Sequence, residues 1–130
     1  MKTIALVGLL SVISMRSNAE VFVCTFTEPF IGFTYNTGAE TLLEFDYVSQ
    51  KSKFSTNVDF QISKDGTFLL KDKSGAVVAE LLLSNKGSDG MSDAVYPYEV
   101  KYLGMDGSYA AHGLWGGCSS SLRPKFTAAQ

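Results

Sequence analysis

Hydrophobic and polar residues alternate along most of this chain. Residues 54–63 are the clearest case. Phe54, Thr56, Val58, Phe60 and Ile62 fall on one side, and Ser55, Asn57, Asp59, Gln61 and Ser63 on the other. Ten residues of strict period two suit a strand, whose side chains alternate between faces, and not a helix, whose faces recur every 3.6 residues. The same reading predicts strands over residues 20–27, 30–35, 41–48, 54–63, 67–72, 76–84, 94–103 and 108–118. It assigns to the core Phe22, Cys24 and Phe26, then Ile31, Phe33 and Tyr35, then Leu43, Phe45 and Tyr47 with Glu44 and Asp46 outside. Phe68 and Leu70 follow, then Val77, Ala79, Leu81 and Leu83, and finally Tyr96, Tyr98, Val100 and Tyr102. Turn residues separate the runs at Asn36-Thr37-Gly38, Lys64-Asp65-Gly66, Lys73-Ser74-Gly75 and Gly104-Met105-Asp106-Gly107. An Asp-Gly pair favours a tight hairpin because glycine accepts positive φ.

Eight short strands at roughly ten-residue spacing, with no sustained helical period, predict an all-β, antiparallel domain. A small eight-stranded barrel is the expected form, since sequential hairpins build it directly. A β-sandwich is the alternative, because alternation does not distinguish closure from stacking. Cys24 lies near the start and Cys118 near the end. A bridge between them would tie the first strand to the last, where an up-and-down barrel closes.

The N-terminus bears on where such a bridge forms. Lys2 precedes an apolar run over residues 3–13, with small residues at Ser17 and Ala19. This is the layout of an export signal, too short to span a bilayer. Residues 1–19 are read as a signal peptide and residues 20–130 as a single β domain. Export leads to an oxidising compartment, where a cysteine pair usually bridges. The 130-residue chain has a formal charge of −2. Without Lys2 and Arg16, nine basic residues face thirteen acidic ones. The charges are interspersed, so nucleic acid and anionic membrane are poor partners. The expectation is a soluble, monomeric protein, periplasmic or secreted, with no membrane insertion.

Little in the chain carries chemistry. His112 is the only histidine, and one histidine without a free cysteine cannot build a zinc cage. Asp89 and Asp93 flank Gly90-Met91-Ser92. Two turn carboxylates can bind calcium or act as an acid–base pair, but the alternating ligands of an EF-hand are missing. Such side chains more commonly hold a tight loop by accepting backbone amides. No nucleophile elbow or phosphate loop is present. No cofactor and no catalytic residue are assigned. Trp115, beside Gly113, Gly116 and Gly117, either anchors a partner or plugs one end of a barrel; the plug is the preferred reading.

Four elements carry a family likeness: Thr27-Glu28-Pro29-Phe30, Ser88-Asp89-Gly90-Met91-Ser92-Asp93, Tyr96-Pro97 and Gly117-Cys118. Together they resemble a family of small uncharacterised Gram-negative envelope proteins. Those proteins show Glu-Pro-Phe-Trp, Cys-Ser-Asp-Gly-Met-Ser-Asp and a late Gly-Cys. Here Ile31 replaces the tryptophan and Gly87 the middle cysteine, so Cys24 would take that cysteine's role as the partner of Cys118. The resemblance implies an envelope location and no catalytic residue. A second likeness, in size and architecture alone, is to periplasmic lysozyme inhibitors, whose blocking loop motif is absent. The expected function is a non-enzymatic binding module of the cell envelope, with a protein or small-molecule partner. Its contact surface would comprise Ser88, Asp89, Met91, Ser92, Asp93 and Trp115. The alternatives are a lysozyme-inhibitor-like protein and a small-ligand-binding barrel.

Overall fold

The computed structural model describes residues 19–127. The predicted signal peptide therefore falls almost wholly outside the described residues. Those described form an antiparallel all-β domain, as the alternation predicts. The strands are β1 (Val21–Thr25), β2 (Ile31–Asn36), β3 (Thr41–Asp46), β4 (Ser52–Ser55), β5 (Asp59–Ile62), β6 (Thr67–Lys71), β7 (Val77–Gly87), β8 (Ala94–Tyr102), β9 (Leu114–Ser120) and β10 (Phe126–Thr127). Their order is β4-β3-β2-β1-β9-β8-β7-β6-β5, with β10 added against β8. This is one unbroken path, not the two stacked sheets of a sandwich.

Two meanders make up the sheet. β1–β4 form one and β5–β9 the other, and the ladder between β1 and β9 joins them. Cys24 and Cys118 are direct partners across that ladder, and their sulfurs are bonded. The predicted disulfide is therefore present, but its expected place is corrected. It lies at the middle of the strand order and not at a seam that closes a barrel.

Among the described residues β4 and β5 stand at the two ends of the strand order and no ladder joins them, so the sheet does not close into the expected barrel. The alternation over residues 54–63 predicted one continuous strand there. The chain instead interrupts itself at Thr56-Asn57-Val58. Asn57 has φ of 59°, a left-handed value that a strand cannot continue through. Val58 turns into the core. Its N–H donates to the Glu40 carbonyl at 2.9 Å, and its carbonyl accepts from Tyr35 Oη at 2.6 Å. Phe54 and Ile62, expected inside, are exposed as a result. The sheet still curls round one interior. Phe60 of β5 lies 5.5 Å from Phe22 of β1, ring centre to ring centre, and 6.2 Å from Tyr35 of β2.

That interior is filled by side chains. Phe22, Phe26, Phe33, Tyr35, Tyr98 and Tyr102 are fully buried with Ile31, Leu70, Leu81 and Val100. Phe33 and Tyr102 have ring centres 4.7 Å apart. Offset and tilted aromatic contacts of this kind stabilise a core beyond the area they bury.

β3 has its faces reversed from the prediction. Its ladder with β2 sets Leu42 against Tyr35 and Glu44 against Phe33. Tyr35 and Phe33 face inward, so Leu42 and Glu44 do also. A shift of one residue flips a whole strand, and here the 36–41 turn fixes the register. Asn36 Oδ1 accepts from Gly38 N at 2.8 Å and Ala39 N at 3.0 Å. Glu44 is only 6% exposed; Tyr102 Oη donates to its carboxylate at 2.6 Å. Outside, Tyr47 packs on Phe30 at 4.7 Å and on Phe45 at 5.2 Å. Tyr47 also covers Gly32, where an added Cβ would lie 2.8 Å from its hydroxyl.

The ends also differ. The predicted strand 108–118 begins only at Leu114, because residues 107–112 are turns. The tail does not simply fray: Phe126 and Thr127 pair with Val95 and Ala94.

Replacing both Cys24 and Cys118 by alanine should lower the unfolding free energy by about 2–5 kcal/mol in urea titrations, because the bridge closes nearly the whole chain. Tyr102→Phe removes the donor to a buried carboxylate. It should cost roughly 1–3 kcal/mol in the same measurement, with the fold retained by circular dichroism.

Candidate functional site

Residues 88–93 leave β7 and return into β8, and three devices hold them. At the first, the β7–β8 ladder shifts register between Leu83 and Gly87. Gly87 lies so close to β8 that a Cβ there would be 2.1 Å from the Tyr98 carbonyl oxygen. No other residue fits that approach. At the middle, the Thr27 hydroxyl donates to the Asp89 carbonyl. This fastens the loop to the chain just before Glu28-Pro29, whose peptide is cis. At the end, β10 lies against Ala94 and Val95.

Asp89 organises the loop from within. Its side chain is 8% exposed. Oδ1 accepts from Met91 N and Ser92 N, each at 2.8 Å. Oδ2 accepts from Ser92 Oγ at 2.8 Å and Tyr96 Oη at 3.0 Å. Burial alone would favour the neutral acid, but these donors outweigh it. They hold the Asp89 carboxyl well below the usual carboxylate range. Asp46, Asp65, Asp72 and Asp106 accept from turn amides in the same way, but are less covered. Asp65, bonded by Ser63 and Thr67, is pulled down to about 2. Asp89 is thus a turn aspartate that has been covered over.

Tyr96 is the cover. It is buried, as predicted, but it is absent from the interior cluster that holds Tyr98, Val100 and Tyr102. Its ring instead lies on Gly117, where a Cβ would come within 2.8 Å of it. Lys125 Nζ sits 5.8 Å from the ring centre. The glycine beside Cys118 is therefore required by the loop's packing.

Beside this loop opens a groove of about 480 Å³. Ser88 and Asp89 line it from the loop, Thr27 and Glu28 from the β1–β2 turn, Lys86 from β7, Glu99 from β8 and Trp115 from β9. Trp115 is 66% exposed. It does not plug the domain, and that reading is corrected. Strand alternation explains why: Gly116 and Cys118 share the inward face of β9, so Trp115 lies on the outer face, where it pairs with Lys101. Lys101 Nζ lies 5.7 Å from the indole centre. Trp115 and Glu99 also line a smaller groove of about 170 Å³ together with Lys101. The indole and Glu99 are common to both.

Ser88, Asp89 and Trp115 therefore come together at one groove. Met91, Ser92 and Asp93 are exposed on the same loop but do not line it. Sequence reasoning missed Glu28, Lys86 and Glu99. Glu28 sits in a proline turn, and the other two face outward on strands whose register no local pattern reveals.

His112 lines a different groove, with Tyr109 and Leu114. Asp89 and His112 do not line the same groove, and all four hydrogen bonds to the Asp89 carboxylate come from its own loop and strand. Among the described residues no group of three His, Cys, Asp or Glu is placed to hold a metal ion. No helix among the described residues is long and apolar enough to cross a membrane. No family model, no curated protein and no solved structure matches this chain.

Asp89→Asn replaces a buried acceptor by an amide whose NH2 faces donors. It should destabilise the protein by about 2 kcal/mol at pH 7. The folded carboxyl is depressed below the unfolded value of about 3.9, so its contribution is full above that value. It is lost as pH falls towards the folded value. Urea midpoints should therefore fall below about pH 4 in the wild type, and less steeply in Asp89→Asn.

Proposed function

We propose that this protein is an exported, non-enzymatic binding module of the cell envelope, and that the groove beside Trp115 is its contact site. One observation carries the reading. A largely exposed indole stands at the wall of a groove whose opposite lip is a loop pinned at both ends and in its middle. Exposing an indole leaves a large apolar surface in water, which a binding partner would relieve. A loop fixed before binding loses little conformational freedom on contact, so more of the contact energy remains as affinity. The disulfide and the likeness of residues 88–93 to envelope proteins support export.

Barrel-like closure is part of this proposal only as the way the sheet wraps its core. Because aromatic rings fill that core, a carrier with an interior ligand is the weaker alternative. A lysozyme-inhibitor-like role is the other, and the groove and its pinned loop give it a surface to act through.

The test is affinity capture from envelope extract with wild type and Trp115→Ala, both confirmed folded. Wild type should retain a partner that Trp115→Ala loses. Equal retention by the two would remove the groove from the reading. A lysozyme turbidity assay separates the alternative: inhibition abolished by Trp115→Ala would favour it, and unimpeded lysis at excess protein ends it.

A further inference from the structure

The chemistry of the groove beside Trp115 narrows its ligand. We infer that the groove binds an uncharged saccharide, stacked on Trp115. This rests on the groove being the contact site and adds the class of ligand.

The indole comes first. Both grooves are lined by Trp115, but Lys101 lines only the smaller one. The cation at 5.7 Å therefore belongs to that side, and the larger groove meets the indole without it. An aromatic face is negative and attracts the weakly positive hydrogens of a flat C–H surface. A pyranose ring presents such a surface. The next residue, Gly116, also lines the groove and, as a glycine, adds only backbone beside the indole.

The polar groups come second. Sugar hydroxyls both donate and accept. Glu28 and Glu99 supply acceptors at the groove, and Lys86 supplies donors. Asp89 is already satisfied within its loop and adds charge without a free acceptor role. The groove volume falls within the roughly 300–1,000 Å³ of small-ligand clefts.

Charge then selects among stacking ligands. Three carboxylates face one ammonium across the groove. Nucleotides and uronic acids also offer flat faces, but their anionic groups would be repelled. Uncharged or N-acetylated sugars are admitted. The smaller groove lies beyond the same indole and Glu99, so a chain of several rings has more to contact than a single sugar.

The chain has one tryptophan, so its fluorescence reports this site. The probes are tri-N-acetylchitotriose, cellotriose, trigalacturonate and tetramethylammonium. At least one neutral trisaccharide should shift Trp115 emission saturably, with half-saturation on the order of 1 mM. Trigalacturonate should not. Glu28→Gln and Glu99→Gln, both surface changes, should each weaken binding roughly threefold to tenfold. Saturation-transfer NMR should show the trisaccharide signal with wild type and its loss with Trp115→Ala. The inference is overturned if neither neutral trisaccharide gives an emission change or an NMR signal at about 20 mM. It is equally overturned if tetramethylammonium alone responds, or if the NMR signal survives in Trp115→Ala. Loss of an envelope partner in Trp115→Ala without any saccharide response would leave the contact site standing and remove only the ligand class.

Discussion

The ladder between β1 and β9 is the constraint on which this structure depends. It joins two meanders that have no other strand pairing in common. The bond between Cys24 and Cys118 lies directly across it and links residues 94 apart in sequence. Non-local pairing of this kind brings chain ends together at an entropic cost, and a covalent bond reduces that cost in the unfolded chain. Phe22 on β1 and Tyr98 on β8 then meet over the joint, ring centres 5.2 Å apart. Gly116 and Gly117 on β9 follow from the same constraint. The first is forced by close approach to β1, and the second by Tyr96 lying on it.

The candidate site is a by-product of that joint. Thr27 follows the end of β1, Trp115 lies near the start of β9, and Glu99 sits on β8 beside them. Outward-facing positions on three adjacent strands are brought together because β1 and β9 pair. The loop at 88–93 adds the fourth side and is held rigid by a carboxylate that spends its charge internally. Asp89 therefore supports the groove more than it reads a ligand. Trp115, Glu28, Glu99 and Lys86 are the groups left free to do so.

Much of the fold was legible in the alternation. Strand type, the turn positions and most inward faces follow from period two. What the pattern could not carry was register. In β3 the residues Leu43, Phe45 and Tyr47 outweigh Leu42 and Glu44 in hydrophobicity, yet the turn at Asn36 sets the pairing and sends them outside. There, Tyr47 covers Gly32 and packs on Phe30 and Phe45, while Tyr102 satisfies the inward Glu44. In residues 54–63 the alternation is unbroken, but one left-handed residue, Asn57, divides the strand. For the site, the loop was legible because its Asp, Ser and Gly residues are turn formers of unusual density. Trp115 was visible but misplaced, since size suggested burial while strand parity sets it outside. Glu28, Lys86 and Glu99 gave no local signal at all, because only the tertiary pairing assembles them.

The interruption at Thr56-Asn57-Val58 bears on how the polypeptide could be rewired. It falls between the two meanders, where the consecutive strands β4 and β5 are not bonded to each other. A protease cut at that point would sever no ladder. The fragments would remain one molecule, because the sulfur bridge spans the opposite side. Linking residue 127 to residue 19 and opening the chain there would keep the same neighbours for every strand. The order in which the halves are written is thus incidental to the architecture.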